Sequence, residues 1–255
     1  MTEPAHFPYH TSKAVGLTVR NARLAWHDRA LFDGLNLDLP AASWTCLLGP
    51  SGIGKSMLLR LILGLDGSAD NPQMVTCSDG QPLGGRVAFM AQRDLLFPWL
   101  SVLDNVLIGS RLRNEHQNRE QALQLLEATG LVDVAEAMPD TLSGGMRQRV
   151  AIARTLMEDR PVVLMDEPFS SLDAITKIKL QGLAAQLLSD RTVLLVTHDP
   201  LEALRLGHSI HVMRGSPAVL GAAIEPPNLP PRKLDDHAVL EHQGELLKQL
   251  AEATQ

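Results

Sequence analysis

The chain has 255 residues, a net charge of −6, 45% hydrophobic and 20% charged residues, which is ordinary for a globular protein with one large core or two small ones. An acidic chain without a basic stretch is not expected to bind nucleic acid in general, because nothing offsets the phosphate charge. The two cysteines, Cys46 and Cys77, lie in separate strand-like runs. They indicate neither a disulfide framework nor a zinc site and fit a reducing cytosol.

The apolar runs of the chain are short. Runs such as residues 161–165 and 192–196 are far too short to cross a bilayer. The first residues lack the continuous apolar stretch of a signal peptide. If the protein acts at a membrane, we therefore expect another chain to supply the span.

The first part of the chain predicts antiparallel strands and then a strand, a glycine-rich turn and a helix. Residues 17–20 and 35–39 alternate apolar and polar side chains, as half-buried antiparallel strands do. Residues 44–48 predict a short buried strand, and residues 57–63 predict a helix that is apolar on most sides. Another strand is predicted over residues 86–90.

The segment between that buried strand and helix fits the phosphate-binding P-loop, G-x-x-x-x-G-K-[ST]. Its residues are Gly49, Pro50, Ser51, Gly52, Ile53, Gly54, Lys55 and Ser56. Such a loop aims backbone N–H groups at phosphate oxygens, and the helix N-terminus adds the positive end of its dipole. Lys55 is predicted to reach the β- and γ-phosphates and the Ser56 hydroxyl to hold Mg²⁺. A chance match is the alternative, but the flanking strand and helix favour a nucleoside triphosphate site.

The second half of the chain first becomes helical and then returns to strands. Apolar residues recur at helical spacing within about residues 94–159, and Gly130 stands where a helix cap is expected. Two continuous apolar runs predict strands buried in a parallel sheet, with a crossover helix between them. The predicted elements after residue 159 are strands over 162–165, 193–196, 210–213 and 218–223, the crossover helix over 173–188, a proline-rich linker from residue 226, and a last helix over roughly 235–251.

Asp166 and Glu167 follow the first of the two apolar strands. Ligands of open α/β sheets lie beyond the carboxyl ends of the strands, so both carboxylates are expected to face the nucleotide. Asp166 is predicted to hold the Mg²⁺ shell, and Glu167 to orient and polarise the attacking water. The alternative is a solvated acidic pair at the end of a strand.

Three further positions are candidates for nucleotide contact. Ser143, Gly144 and Gly145 lead into a helix predicted over residues 146–157, and such a helix start is an anion site or a plain cap. Because this helix start is far along the chain from the P-loop, it makes most sense if it closes over a nucleotide held by another copy. Gln92 follows a strand, where its amide can ligate Mg²⁺ or the attacking water. His198 also ends a strand, where its imidazole can donate to a γ-phosphate or be a bystander.

These motifs, in this order and spacing, resemble the ATPase domain of ABC transporters over about residues 17–223. Residues 49–56, Gln92, 142–148, Asp166-Glu167, 171–173 and His198 match its Walker A, Q-loop, signature, Walker B, D-loop and switch histidine. The resemblance implies an α/β P-loop NTPase fold: a mixed or parallel sheet core, an antiparallel β subdomain and an inserted α-helical subdomain. It implies an ATPase domain over residues 14–225 with the helical subdomain at about 93–159, followed by a proline-rich linker and C-terminal helix over 226–255.

The resemblance also implies that two copies face head to tail and sandwich two ATP molecules with Mg²⁺. One chain is expected to contribute its P-loop and Trp26, Met57, Gln92, Asp166, Glu167 and His198. In this set Trp26 stands where the family stacks an aromatic on adenine, and Met57 replaces the usual threonine. The other chain is expected to contribute Ser143, Gly144, Gly145 and Asp173.

Finer stretches resemble importers of the nitrate, sulfonate and taurine type. They are residues 96–106, 167–174 and 197–203, and thiamine-precursor pyrimidine importers fit them too. This implies integral membrane permease subunits docked near residues 92–105, an extracytoplasmic solute-binding protein as an indirect partner, and a peripheral position on the cytoplasmic face of the inner or plasma membrane.

Two alternatives remain open from the sequence. One is a soluble ABC-type ATPase that is not coupled to transport, although the chain has one P-loop and no inserted coiled coil. The other is a binding module that no longer hydrolyses ATP. Departures from the family occur at Met57, Met146 and residues 206–208, but Lys55 and Glu167 are intact, so an active ATPase is expected.

Overall fold

The computed structural model describes residues 13–26, 29–65, 74–233 and 235–253. The strands in these ranges form two sheets. The strands are β1 Leu17–Trp26, β2 Arg29–Leu39, β3 Trp44–Leu48, β4 Val75–Cys77, β5 Val87–Met90, β6 Val162–Asp166, β7 Thr192–Val196, β8 Ser209–Arg214 and β9 Val219–Leu220. The helices are α1 Lys55–Ile62, α2 Val102–Leu112, α3 Arg119–Ala128, α4 Gly144–Met157, α5 Ala174–Leu187, α6 Pro200–Leu206 and α7 His237–Ala253. Short 3₁₀ turns span Val132–Val134 and Pro139–Thr141.

The smaller sheet is antiparallel, with strand order β2-β1-β4. The predicted antiparallel strands are confirmed, but β1 continues to Trp26, well past the end of the alternating pattern. Asn21 has a positive φ of 50°, and the pairing register shifts between Val19 and Ala22. Such a bulge interrupts the inward–outward alternation while the strand stays paired, which is why the pattern alone ends the strand early.

The larger sheet has the order β5-β6-β7-β3-β8-β9, and its first five strands are parallel. The predicted strand over residues 44–48 and the buried parallel strands are confirmed. Both faces of this sheet are covered, since Cys46 belongs to one apolar core and its neighbour Leu47 to the other. Because both faces of the sheet are buried, the side chains on both sides of these strands are apolar, and their sequences are continuous apolar runs.

Local capping shifts the start of two helices relative to their predicted bounds. The first, α1, begins at Lys55 because Gly54 is its N-cap, with φ of 109°, and accepts from the Leu58 N–H. The second, α4, begins at Gly144 because the Ser143 hydroxyl accepts from the Met146 N–H. A side-chain cap of this kind adds the first turn to the helix.

The helical prediction for residues 94–159 is confirmed only from Val102 onward. Residues 94–101 form a loop that is fixed by the buried side chain of Asn105. Its carbonyl oxygen accepts from the Phe97 N–H at 2.8 Å, and its amide donates to the carbonyls of Leu100 and Ser101 at 3.0 Å. Helices α2, α3 and α4 then share a third apolar core.

The C-terminal elements pack against the larger sheet. The strand predicted over residues 218–223 is regular only over β9. After β9, the chain pairs with β8 only through an isolated bridge between Ile224 and Ile210. Helix α7 buries Val239 and Leu246 in the core. The Arg232 guanidinium, 3% exposed, donates to the carbonyls of Leu204 and Gly207 and so holds the proline-rich segment against α6. None of the helices among the described residues is both long and apolar enough to span a membrane.

Candidate nucleotide-binding site

Four neighbouring parallel strands end at one edge of the larger sheet. In spatial order β5, β6, β7 and β3, they are followed by Gln92, the Asp166-Glu167 pair, His198 and the P-loop. Parallel strands place their carboxyl ends together, so polar residues that are distant along the chain meet there. The structure thus brings together the site residues predicted at the strand ends.

The P-loop passes close to its neighbours at two glycines. A Cβ atom on Gly49 would lie 2.8 Å from the carbonyl oxygen of Met213, and one on Gly54 would lie 3.0 Å from Cζ of Phe32. Gly54 also has a left-handed φ of 109°. Glycine is required where backbone comes this close or takes this conformation, which accounts for these positions of the motif.

The Lys55 ammonium is folded back onto the loop. Its Nζ donates to the carbonyl oxygens of Gly49 at 2.7 Å and Pro50 at 2.9 Å, and the residue is 6% exposed. Burial lowers the pKa of Lys55, while the Glu167 and Asp166 carboxylates oppose that change. A cation at the mouth of a phosphate-binding loop is thus kept close to two carboxylates.

Asp166 presents an unsatisfied oxygen beside the P-loop. Its Oδ1 is buried and has no hydrogen-bond partner. Burial raises the pKa of Asp166, and a hydrogen bond with the Ser56 hydroxyl opposes this. No cluster of three or more His, Cys, Asp or Glu side chains suited to a metal occurs among the described residues. A free carboxylate oxygen next to a hydroxyl nevertheless fits a hard cation such as Mg²⁺, which takes one or two protein carboxylates and fills its shell with phosphate and water.

Glu167 is held at the centre of the strand ends. It is a non-glycine residue with a positive φ of 50°, and its N–H donates to the Val196 carbonyl at 2.8 Å. Its Oε2 lies 3.0 Å from Nδ1 of His198 and accepts from Nε2 of Gln92 at 3.4 Å. Left-handed backbone at such a residue costs energy and is tolerated where the surroundings fix a functional side chain.

A cavity of about 400 Å³ lies over the P-loop. Its lining residues are Trp26, Leu31, Ser51, Gly52, Gly54, Lys55, Ser56, Met57, Gln92 and Glu167. Trp26 is 55% exposed at the end of β1. The cavity is of the size that accepts a small organic ligand, with an aromatic side chain at one end and the phosphate loop along its floor.

Ser143, Gly144, Gly145 and Asp173 form a separate cluster outside that lining. Ser143 caps α4, and the Asp173 carboxylate caps α5 by accepting from the Thr176 N–H at 3.0 Å. Hydrogen bonds with the side chain and then the N–H of Thr176 lower the pKa of Asp173. A Cβ on Gly145 would lie 3.5 Å from the Ser171 carbonyl, so these two helix starts are neighbours. Within one chain, the predicted site residues therefore divide into two groups.

Comparison with known proteins identifies the architecture. The family model described as ABC transporter matches residues 32–170, more than half of the chain. The chain belongs to the ABC transporter ATPase family. As a member of that family it binds and hydrolyses ATP.

Related sequences align with nearly the whole length of this ABC ATPase. An uncharacterized ABC transporter ATP-binding protein of Haemophilus influenzae is 42% identical, over 91% of this chain and 97% of the relative. The aliphatic sulfonates import ATP-binding protein SsuB 1 of Rhodococcus jostii is 40% identical, over 94% of this chain and 95% of the relative. The dimeric structure of a post-hydrolysis state of the ATP-binding cassette MJ0796 bound to ADP and Pi superposes with a TM-score of 0.70 at 28% identity, covering 86% of this chain and 99% of that one.

Two features of this ABC ATPase were not anticipated from its sequence. The first is Glu202, which is 3% exposed in α6 and has one carboxyl oxygen without a partner. Burial, reinforced by the Asp199 carboxylate, raises the pKa of Glu202 to about 8. The second is an ion pair between Lys177 and Asp199 at 3.2 Å. A signal was available for α6, because Asp199 followed by Pro200 is an N-cap with proline at the first helical position.

Proposed function

We propose that this ABC ATPase energises a membrane importer for a small solute of the sulfonate, nitrate or taurine class. The meeting of Gln92, Glu167 and His198 beside the P-loop cavity supports ATP hydrolysis as the source of energy. Relatives named as aliphatic sulfonates import ATP-binding proteins support the importer. Residues 14–225 make up the ATPase domain, with the helical subdomain at about 93–159, and residues 226–255 are the linker and last helix.

The cavity supports one orientation of ATP. The adenine ring stacks on Trp26, which is exposed at the cavity rim. The phosphates lie along the P-loop, whose N–H groups and helix start attract negative charge. Lys55 then exchanges the Gly49 and Pro50 carbonyls for phosphate oxygens. Met57 offers no hydroxyl to the α-phosphate, in contrast to the threonine usual in the family.

Ser56, Gln92 and Asp166 would hold Mg²⁺ in this site. The buried Oδ1 of Asp166, without a protein partner, supports the assignment. When bound, the ion neutralises charge on the β- and γ-phosphates.

Glu167 and His198 divide the chemistry of hydrolysis. Glu167 accepts a hydrogen bond from the attacking water and orients it toward the γ-phosphate. His198 turns from the Glu167 carboxylate to donate to the γ-phosphate, where charge builds up. Gln92 links this centre to the loop that follows it. Hydrolysis therefore depends on Glu167 and on the two side chains that converge on its Oε2 atom.

The second group of site residues acts on the nucleotide of a partner copy. In a head-to-tail dimer, Ser143, Gly144, Gly145 and Asp173 of one chain close over ATP held by the other. The separation of these residues from the P-loop cavity supports this division, and the structural neighbour with ADP and Pi is itself dimeric. ATP thus forms part of the interface, and its hydrolysis loosens the dimer.

The loop after Gln92 is the proposed docking surface for the permease. Leu95 and Trp99 are 60% and 68% exposed on this loop, while Asn105 holds its backbone in place. Arg154 of α4 donates to the Leu95 carbonyl at 2.9 Å, so movement of the loop reaches the helix that carries Ser143. The chain is then peripheral on the cytoplasmic face of the membrane, and a solute-binding protein is an indirect partner.

The solute is proposed from the relatives that import aliphatic sulfonates. The test is growth of the source organism on an alkanesulfonate, on nitrate or on a thiamine-precursor pyrimidine after deletion of this gene. The deletion is expected to abolish growth with the sulfonate as sulfur source, restored by the native gene and not by a Glu167→Gln copy. Unimpaired growth on the sulfonate with a defect on another nutrient would reassign the substrate. Purification from native membranes without any permease would favour an ATPase that is not coupled to transport.

A further inference from the structure

Helix α5 is joined by an ion pair to the turn that carries His198. Nζ of Lys177 lies 3.2 Å from Oδ2 of Asp199, and both side chains are partly buried, at 22% and 27% exposure. Lys177 lies one turn after Asp173, the residue that caps α5. Asp199 directly follows His198.

The two helices are not closely packed where this ion pair lies. A cavity of about 300 Å³ separates the start of α5 from the start of α6, with Ile178 on one side and Leu201 on the other. The Lys177–Asp199 pair lines the same cavity and spans it. Farther along, both helices bury residues in the same apolar core, including Leu180 of α5 and Leu204 of α6. At their starts, the charged contact is the one that crosses the cavity.

Asp199 is also the residue that fixes the turn. Its N–H donates to the Thr197 hydroxyl at 3.0 Å, and its Oδ1 accepts from the Leu201 N–H at 3.0 Å. Its remaining oxygen, Oδ2, is the one that meets Lys177. Asp199 therefore ties the turn around His198 to the Thr197 hydroxyl through its N–H and to the start of α6 through its carboxylate. Helix α5 holds that carboxylate in turn.

We propose that Lys177 is a positioning residue that keeps the turn over residues 197–199, and with it the His198 ring, aligned with Glu167 as α5 moves. The inference rests on the proposed shared site, in which Asp173 at the start of α5 contacts the nucleotide of the partner copy. Lys177 then links the state of one nucleotide site to the histidine of the other. Without the ion pair, ATP binds as before, but the His198 ring is no longer held near the reacting phosphate.

The experiment compares steady-state hydrolysis by the full chain and its variants. Lys177→Met keeps the length of the side chain and removes its charge, and Asp199→Asn keeps the Oδ1 cap while removing the ion pair. Both are expected to lower kcat about ten-fold and to leave KM within about two-fold, because positioning is lost and nucleotide binding is not. Lys177→Arg is expected to restore kcat, and Lys179→Met, an exposed lysine of the same helix, is the matched control.

Three results would overturn the inference: an unchanged kcat in Lys177→Met, an equal loss in Lys179→Met, or a loss in Lys177→Met that follows its melting temperature and is not rescued by arginine. Glu167→Gln is measured alongside to separate the two proposals. If Glu167→Gln is inactive while Lys177→Met turns over at the native rate, only this inference fails. If Glu167→Gln also turns over rapidly, the proposed site itself is wrong.

Discussion

Nδ1 of His198 lies 3.0 Å from Oε2 of Glu167, across the carboxyl ends of two adjacent parallel strands. Glu167 directly follows β6, and only Thr197 separates His198 from the end of β7, so the fold itself sets the separation of the two side chains. Nε2 of Gln92, after the next strand, approaches the same oxygen at 3.4 Å. The Glu167 carboxylate is thus held by two polar neighbours at this edge of the sheet.

Replacing Glu167 by glutamine tests its role toward the attacking water. The variant keeps the shape of the side chain but loses the carboxylate that accepts the water proton, so hydrolysis is expected to fall by about 100-fold or more. ATP binding is expected to persist. Phosphate release is the measurement, with Glu225→Gln, an exposed glutamate, as control. Rapid turnover by the Glu167 variant would show that another group activates the water.

Replacing Lys55 by alanine tests the phosphate loop. The ammonium that now contacts the Gly49 and Pro50 carbonyls is expected to bind phosphate oxygens, so its removal is expected to weaken ATP binding by about ten-fold or more. Calorimetry measures the affinity, and Lys248→Ala on the exposed side of α7 serves as control. An unchanged affinity in Lys55→Ala would contradict the assignment of the loop.

Trp26 is expected to stack on the nucleobase. Because stacking on an aromatic side chain contributes about 1–3 kcal/mol per base, Trp26→Ala is expected to weaken ATP binding five-fold or more, and Trp26→Phe less. Trp99→Ala, which removes a tryptophan exposed on the loop after Gln92, is the matched control. Equal affinities of Trp26→Ala and the native chain would remove Trp26 from the site.

The buried carboxyl group of Glu202 is expected to make the stability of the folded chain depend on pH. Its pKa is raised from 4.5 to about 8 in the folded chain, so the folded state binds the proton more tightly than the unfolded one. This stabilisation is complete below about pH 4.5 and is lost as the pH rises through about 8. Glu202→Gln cannot ionise, so its melting temperature is expected to gain on that of the native chain by about 3 °C or more from pH 5 to pH 8.5. If the melting temperatures of Glu202→Gln and of the native chain changed in parallel with pH, the raised pKa of Glu202 would be refuted.

The sequence was informative wherever a short local pattern determines the structure. The P-loop, the buried strand over residues 44–48 and the acidic pair at the end of β6 each follow from residues that are adjacent in the chain. Because parallel strands align their carboxyl ends, the convergence of Gln92, Glu167 and His198 could be inferred as well.

Other features depend on contacts between distant residues and could not be predicted. The loop over residues 94–101 is not helical because Asn105, which follows it, binds its backbone. The fold of Lys55 onto its own loop and the ion pair of Lys177 with Asp199 likewise depend on tertiary packing. No periodicity in the sequence marks them.

The proposed mechanism requires Ser143 of one copy to complete the ATP site of another. Light scattering on Glu167→Gln with saturating Mg²⁺ and ATP tests it directly, because trapped ATP is expected to double the mass from that of the 27.8 kDa chain. Adding Ser143→Arg places a bulky cation where the partner's nucleotide would lie, so the double variant is expected to bind ATP and remain a monomer. A double variant that dimerises with ATP as readily as Glu167→Gln would contradict the shared site.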